Sequence, residues 1–226
     1  MLKWIVLLLG VLLLAALSVP VFVTIVENRQ ARDLEGREPY APVAADTPRT
    51  AVVFFSRSGS TGLAARHIAN RMQAALFEIE AQDYELGLTG WASAMKDARG
   101  AKADISPRTI DLSRYDTVYL GSPIWLYAPA PPIRAFVEQN RFDGKRVVLF
   151  NTYNSEFGAN FIDDFRNAVM QRGARSFEHV SVRRGRMTQQ IDPETMLEQI
   201  DAIWSIEPPS TANASNDISV DAPTNE

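Results

Sequence analysis

Hydroxyls and glycines gather at one point of the chain, the stretch FFSRSGSTG from Phe54 to Gly62. Ser56, Ser58, Ser60 and Thr61 can each donate to a phosphate oxygen, and Gly59 and Gly62 let the backbone approach an anion closely; Arg57 stands among them. The stretch follows an apolar run and opens a helical pattern. Free backbone N–H groups and the positive end of a helix dipole favour an anion at such a place. No Lys precedes the terminal hydroxyl, as a nucleotide P-loop requires, and no G-x-G-x-x-G fingerprint appears. Ser56 stands where a nucleophile elbow needs its first glycine. A serine-rich, capped turn of no function has the same composition.

Two further clusters could share that work. Pro123, Ile124, Trp125, Leu126 and Tyr127 follow GS in a segment whose proline is expected to stop a strand. The rings of Trp125 and Tyr127 suit a flat ligand, or else cover the end of the core. Thr152, Tyr153, Asn154 and Gly158 lie in NTYNSEFG, which offers hydroxyls, backbone donors and another ring.

The elements that must position these clusters alternate. Ala51–Phe55 reads as a strand buried on both faces, and Thr61–Ala75 as an amphipathic helix. Further strands are expected at Leu76–Ala81, Thr117–Leu120, Val147–Asn151 and Phe177–Val182. Helical patterns fill the gaps at Trp91–Arg99, Pro132–Gln139, Asn160–Arg172 and Pro193–Trp204. Five strands alternating with helices make an α/β, doubly wound, parallel sheet, whose ligands sit beyond the carboxyl ends of the strands.

Composition limits the chemistry. With 226 residues the chain can bury one full core, and with no cysteine and two histidines it lacks a thiolate metal site or a cysteine nucleophile. His67 and His179 read as helix-face and strand-end residues. The net charge of −4 resides in the last twenty residues, and the rest carries as many acids as bases, which argues against nucleic acid as a partner. Arg183–Arg186 reads as a solvated loop, or one that steers an anionic partner or meets lipid headgroups.

Trp4–Val26 carries no charge and as a helix spans about 34 Å, enough to cross a bilayer. A cleaved signal is the rival reading; the apolar run continues well past its small-residue site at Ala16–Ser18, which favours a single-pass anchor. Arg29, Arg32 and Arg37 outnumber Lys3 and favour the cytoplasmic face for the globular part, whereas a short positive N-terminus held inside would give the opposite orientation. The expected organisation is an anchor at 1–26, a tether at 27–50, a domain at 51–206 and a disordered acidic tail at 207–226.

The motifs together resemble the flavodoxin-like family. SRSGST matches the S/T-x-S/T-G-x-T phosphate loop of flavodoxins, and YDTVYLGSPIW followed by PPIRAFVEQNRFDGKRVVLFNT looks like the family's D-x-I/V-x-x-G-x-P-I-W segment and the helix and strand after it. The resemblance runs from about Ala51 to about Val182. It implies a strand order of 2-1-3-4-5 and FMN as cofactor, its phosphate on Ser56–Gly62 and its ring between Pro123–Tyr127 and Thr152–Gly158. Tyr153, Asn154 and Glu156 are bulkier than the family's usual loop, and the neutral body departs from acidic electron carriers. These departures and the anchor point to a membrane oxidoreductase or electron-transfer flavoprotein, with a quinone or another redox partner and NAD(P)H as expected reactants. A tethered module of the same fold without FMN is the alternative.

Overall fold

The computed structural model describes residues 2–41, 48–186 and 189–204. Its strands are β1 (Thr50–Phe54), β2 (Ala75–Glu78), β3 (Thr117–Trp125), β4 (Ala128–Pro129), β5 (Arg146–Tyr153) and β6 (Ser176–Arg183). Its α-helices are α1 (Leu2–Leu34), α2 (Ser60–Met72), α3 (Leu88–Asp97), α4 (Pro131–Gln139), α5 (Ala159–Gln171) and α6 (Pro193–Trp204). The sheet runs β2-β1-β3-β5-β6, all parallel, with β4 paired antiparallel to the end of β3. Leaving out that two-residue strand, the order is the expected 2-1-3-4-5.

Successive strand residues face opposite sides of the sheet, so the central strands feed two apolar layers. Val53, Leu120 and Leu149 pack with Phe136 and Phe165 on the side of α4 and α5. Val52, Phe54 and Val148 pack with Ile68 and Ile200 on the side of α2 and α6. Gly121 is closely packed within the second layer: a Cβ there would stand 2.3 Å from the Phe150 ring and 2.8 Å from Phe54 Cβ.

Three elements, β3, β5 and α1, run further than the sequence suggests. β3 does not stop at Pro123. Pro123 pairs with Thr152, its missing N–H costs no bond that the hairpin needs, and its carbonyl accepts from Ala130 N–H at 3.0 Å. The strand then turns through Leu126 and Tyr127, with φ of 41° and 75°, into β4. Positive φ at both central residues matches the twist of a two-residue hairpin. β5 likewise extends through Thr152 and Tyr153, which are therefore strand residues.

The other extension is α1. The helix continues through Glu27 to Leu34, where the sequence suggests a tether, because its last two turns have a surface to bury against. Leu34 is only 6% exposed and joins the layer containing Leu63 and Ile68. The chain beyond stays on α2: Tyr40 donates to the Ala74 carbonyl at 2.9 Å, and His67 bridges Glu38 and Asp201 at 3.1 and 2.9 Å. From Trp4 to Ile25, by contrast, the large apolar side chains of α1 are predominantly exposed. That stretch is long and apolar enough to cross a membrane by length and composition. The expected tail at 207–226 lies outside the described residues.

Candidate functional site

A cleft of about 280 Å³ opens at the carboxyl ends of β1, β3 and β5. Ser56, Ser58 and Ser60 form its floor, Pro123 to Leu126 one wall, and Thr152 and Asn154 another. Sequence proximity did not bring these together; the parallel register did, since Phe54 pairs with Gly121 and Pro123 with Thr152. Gly59, Gly62, Tyr127, Tyr153 and Gly158 stand outside the lining. Each has a structural part as well: Gly59 caps α2 with a φ of 93°, which a side chain resists, and Gly62 packs its α-carbon near the Phe54 ring. Gly158 precedes α5 and donates its N–H to the Tyr127 carbonyl at 2.8 Å, bracing the hairpin. Tyr153 meets Phe157 edge to face.

The floor is built to receive negative charge. The first helical bond of α2 runs from Leu63 N–H to the Gly59 carbonyl, and no side chain caps the helix, so Ser60, Thr61 and Gly62 have N–H groups without an intrahelical partner. Ser56 Oγ is buried without a hydrogen-bond partner among the described residues. A buried hydroxyl left unpaired is costly, and an anion's oxygen would satisfy it. Thr61 and Thr152 share one hydrogen bond at 2.8 Å between their hydroxyls. One of the two donates, which leaves the other's hydrogen for a ligand.

Arg57 also lines the cleft, with its guanidinium already engaged. Its guanidinium pairs with Glu27 of α1 and donates to the carbonyls of Tyr84 at 3.0 Å and Gly87 at 3.2 Å. The charge is spent on pinning α1 to the α3 approach. Trp125 combines both expected parts, lining the cleft while its ring is held edge to face by Phe55 and Tyr84, at 5.6 and 5.4 Å between centroids. It is a cleft wall anchored in the core. Leu126 and Tyr127 are the exposed residues of the hairpin tip, 44% each.

Residues that sequence reasoning misses complete the site. Val23 and Glu27 of α1, Trp91 and Met95 of α3, and Arg184 after β6 all reach the cleft. The signal for α1 was present: Val23, Glu27, Gln30 and Leu34 recur at spacings of four, three and four, one face of a helix. For Arg184 no such signal exists, because it sits in a run of three arginines whose other members point outward.

A polar chain crosses the sheet behind the cleft. His179 on β6 donates from Nε2 to Asn151 Oδ1 at 2.9 Å, and Asn151 Nδ2 donates to the Ser122 carbonyl at 2.8 Å. Ser122 Oγ in turn accepts from Ala130 N–H at 2.9 Å, which ties the hairpin's exit to the chain. Burial first, and then the nearby Arg166 charge, lower His179 to about 4, so it is a neutral donor at neutral pH.

A sequence profile of flavodoxins matches residues 49–190. The chain belongs to the flavodoxin family. Among solved structures, a chain from Bacteroides uniformis assigned as a flavoprotein superposes with a TM-score of 0.53 at 22% identity, covering 69% of this chain and 99% of its own. A Lactobacillus acidophilus flavoprotein solved in complex with FMN has a TM-score of 0.48 at 20% identity, covering 59% and 93%. Oxidised flavodoxin 1 of Bacillus cereus has a TM-score of 0.43 at 21% identity, covering 66% and 92%. A search of curated proteins returns no match. The flavodoxin segment holds every wall of the cleft except α1, which precedes it.

Proposed function

We propose that this flavodoxin-family chain is a membrane-anchored FMN oxidoreductase that works at the bilayer surface, with a quinone as acceptor. The observation that carries the reading is the unpartnered Ser56 hydroxyl on a floor of hydroxyls and free helix N–H groups, with Val23 of the apolar helix in the wall of the same cleft. Ser56, Ser58, Ser60 and the helix N–H groups would hold the phosphate. Pro123 to Leu126, Thr152 and Asn154 would border the ring. FMN supplies electron or hydride transfer when bound. The chain's own residues bind, orient and exclude water: the hairpin is fixed by Ser122 and Gly158, and the aromatic cluster behind Trp125 keeps that wall rigid.

Val23 belongs to the uncharged segment Trp4–Val26, and Glu27, one turn on, begins the docked part of α1. A bilayer around that segment would therefore bring its surface to the rim of the cleft. An amphiphile such as a quinone meets the site there at high effective concentration. NAD(P)H is the proposed donor, reaching the cleft from the aqueous side, and the basic residues after the span favour the cytoplasmic face.

The test uses the full chain purified in detergent. Flavin absorbance, FMN recovered on release, and NAD(P)H oxidation that depends on an added short-chain quinone are expected. A protein that remains colourless after reconstitution with excess FMN would sink the reading. A specific contact favours one second reading, the tethered module without flavin: the Gln30 amide of α1 is seated on Ser58 and Ser60, where the phosphate would lie.

A further inference from the structure

The phosphate floor has a second layer above it, and that layer is rich in donors. Gln30 on α1 points Nε2 at the Ser58 carbonyl at 2.9 Å, at Ser58 Oγ at 3.3 Å and at Ser60 Oγ at 2.6 Å. From the far end of β6, Arg184 donates to Gln30 Oε1 at 2.8 Å, to Ser60 Oγ at 3.4 Å and to Asn154 Oδ1 at 2.7 Å. Gln190 adds another donor on Gln30 Oε1 at 3.1 Å. Every acceptor in this cluster is neutral. Among the described residues no carboxylate forms an ion pair with Arg184, and Glu27, the acid that acts on it, is already held by Arg57. Burial accordingly pulls Arg184 below the usual guanidinium value, with Glu27 opposing.

A guanidinium taken out of water and given only neutral acceptors is expensive to keep. Serine hydroxyls that accept from an amide and a guanidinium still have their own hydrogens to give. With the Ser56 hydroxyl and the first N–H groups of α2, these donors suit an anion with several oxygens.

We propose that Arg184 and Gln30 are phosphate-binding residues, which close on a phosphate monoester from the side opposite the Ser56–Gly62 floor. The bound phosphate then becomes a latch between α1 and the domain. Arg184 is the cation that makes the site select a charged monoester over the same flavin without one, and Gln30 is the contact through which α1 senses it. The inference rests on the flavin reading for the ligand's identity, and on the donor excess alone for the anion.

The full chain in detergent, stripped of ligand, is titrated with FMN and with riboflavin, and binding is followed by quenching of flavin fluorescence. A hydrogen bond to a charged group contributes on the order of 1.5–3 kcal/mol, so Arg184→Met should weaken FMN roughly 10- to 100-fold. Riboflavin binding should not change, which also shows that the variant is folded, and Arg184→Lys should recover part of the loss. Gln30→Leu should weaken FMN several-fold, and FMN should slow tryptic cleavage after Arg37 in the wild type. Equal losses for both flavins, or no loss for either, overturn the clamp; tighter FMN binding by Gln30→Leu would instead make α1 a plug. If the wild type binds neither flavin, the proposed function fails and inorganic phosphate decides the clamp. Thermal stabilisation by millimolar phosphate that disappears in Arg184→Met upholds it, and no stabilisation of the wild type overturns it.

Discussion

Two single residues separate what the fold requires from what the site requires. Gly121 has no room for a side chain, since Phe150 and Phe54 close on its α-carbon. Gly121→Ala should destabilise the protein by about 1–3 kcal/mol, the usual cost of overpacking a core, and urea unfolding will read it. His179 is held neutral by burial, so its folded value of about 4 lies below the ordinary one near 6.5. The sign follows from linkage: between those values the unfolded chain binds the extra proton, and stability rises with pH. Unfolding midpoints should therefore fall as pH drops from about 6.5 to about 4, and His179→Gln should flatten that slope. The exposed ion pair Arg49 with Asp116 should add nothing measurable at neutral pH, being open to solvent on both sides.

At the scale of elements, the order of strands and helices is legible in the chain because buried parallel strands are written as apolar runs and their helices as amphipathic periods. Boundaries are less legible. Pro123 reads as a stop, yet β3 continues, because a hairpin rather than a further parallel neighbour takes up the strand end. Trp125 reads either as a platform for a ligand or as a cover for the end of the core, and its partners Phe55 and Tyr84 are distant in sequence, so only the fold brings them to it. Arg184 is legible only as charge, since its partners Gln30, Ser60 and Asn154 are distant in sequence. The hairpin tip makes a prediction of its own. Leu126 and Tyr127 both sit at positive φ, a region that costs an ordinary residue roughly 1 kcal/mol. Tyr127→Gly should stabilise the domain by about that much. Flavin affinity should fall if the stiff tip helps to border the ring, and parallel unfolding and binding measurements will separate the two effects.

At the scale of the whole molecule, the unexpected feature is that the N-terminal helix is part of the domain. Leu34 in the core layer and the buried pair of Glu27 with Arg57 hold its last turns. Breaking a buried pair by removing one partner typically costs about 3–5 kcal/mol, because the other charge is left uncompensated. Arg57→Ala should therefore loosen α1 from the cleft. Cleavage by trypsin near Arg37 should accelerate, with the change read against the wild type under the same conditions.

The rigid junction between the apolar segment and the cleft has a mechanical consequence. A domain hung on a flexible tether samples a volume, and its site can turn toward bulk water or toward the lipid. Here the helix carries straight from Val23 in the cleft wall to Leu34 in the core, without a hinge between them. With the apolar segment embedded, the mouth of the cleft would keep one height and one bearing relative to the bilayer plane. Partners confined to that plane would then meet it by a search in two dimensions, and a bulky soluble protein would be turned away by the lipid surface before any contact was made.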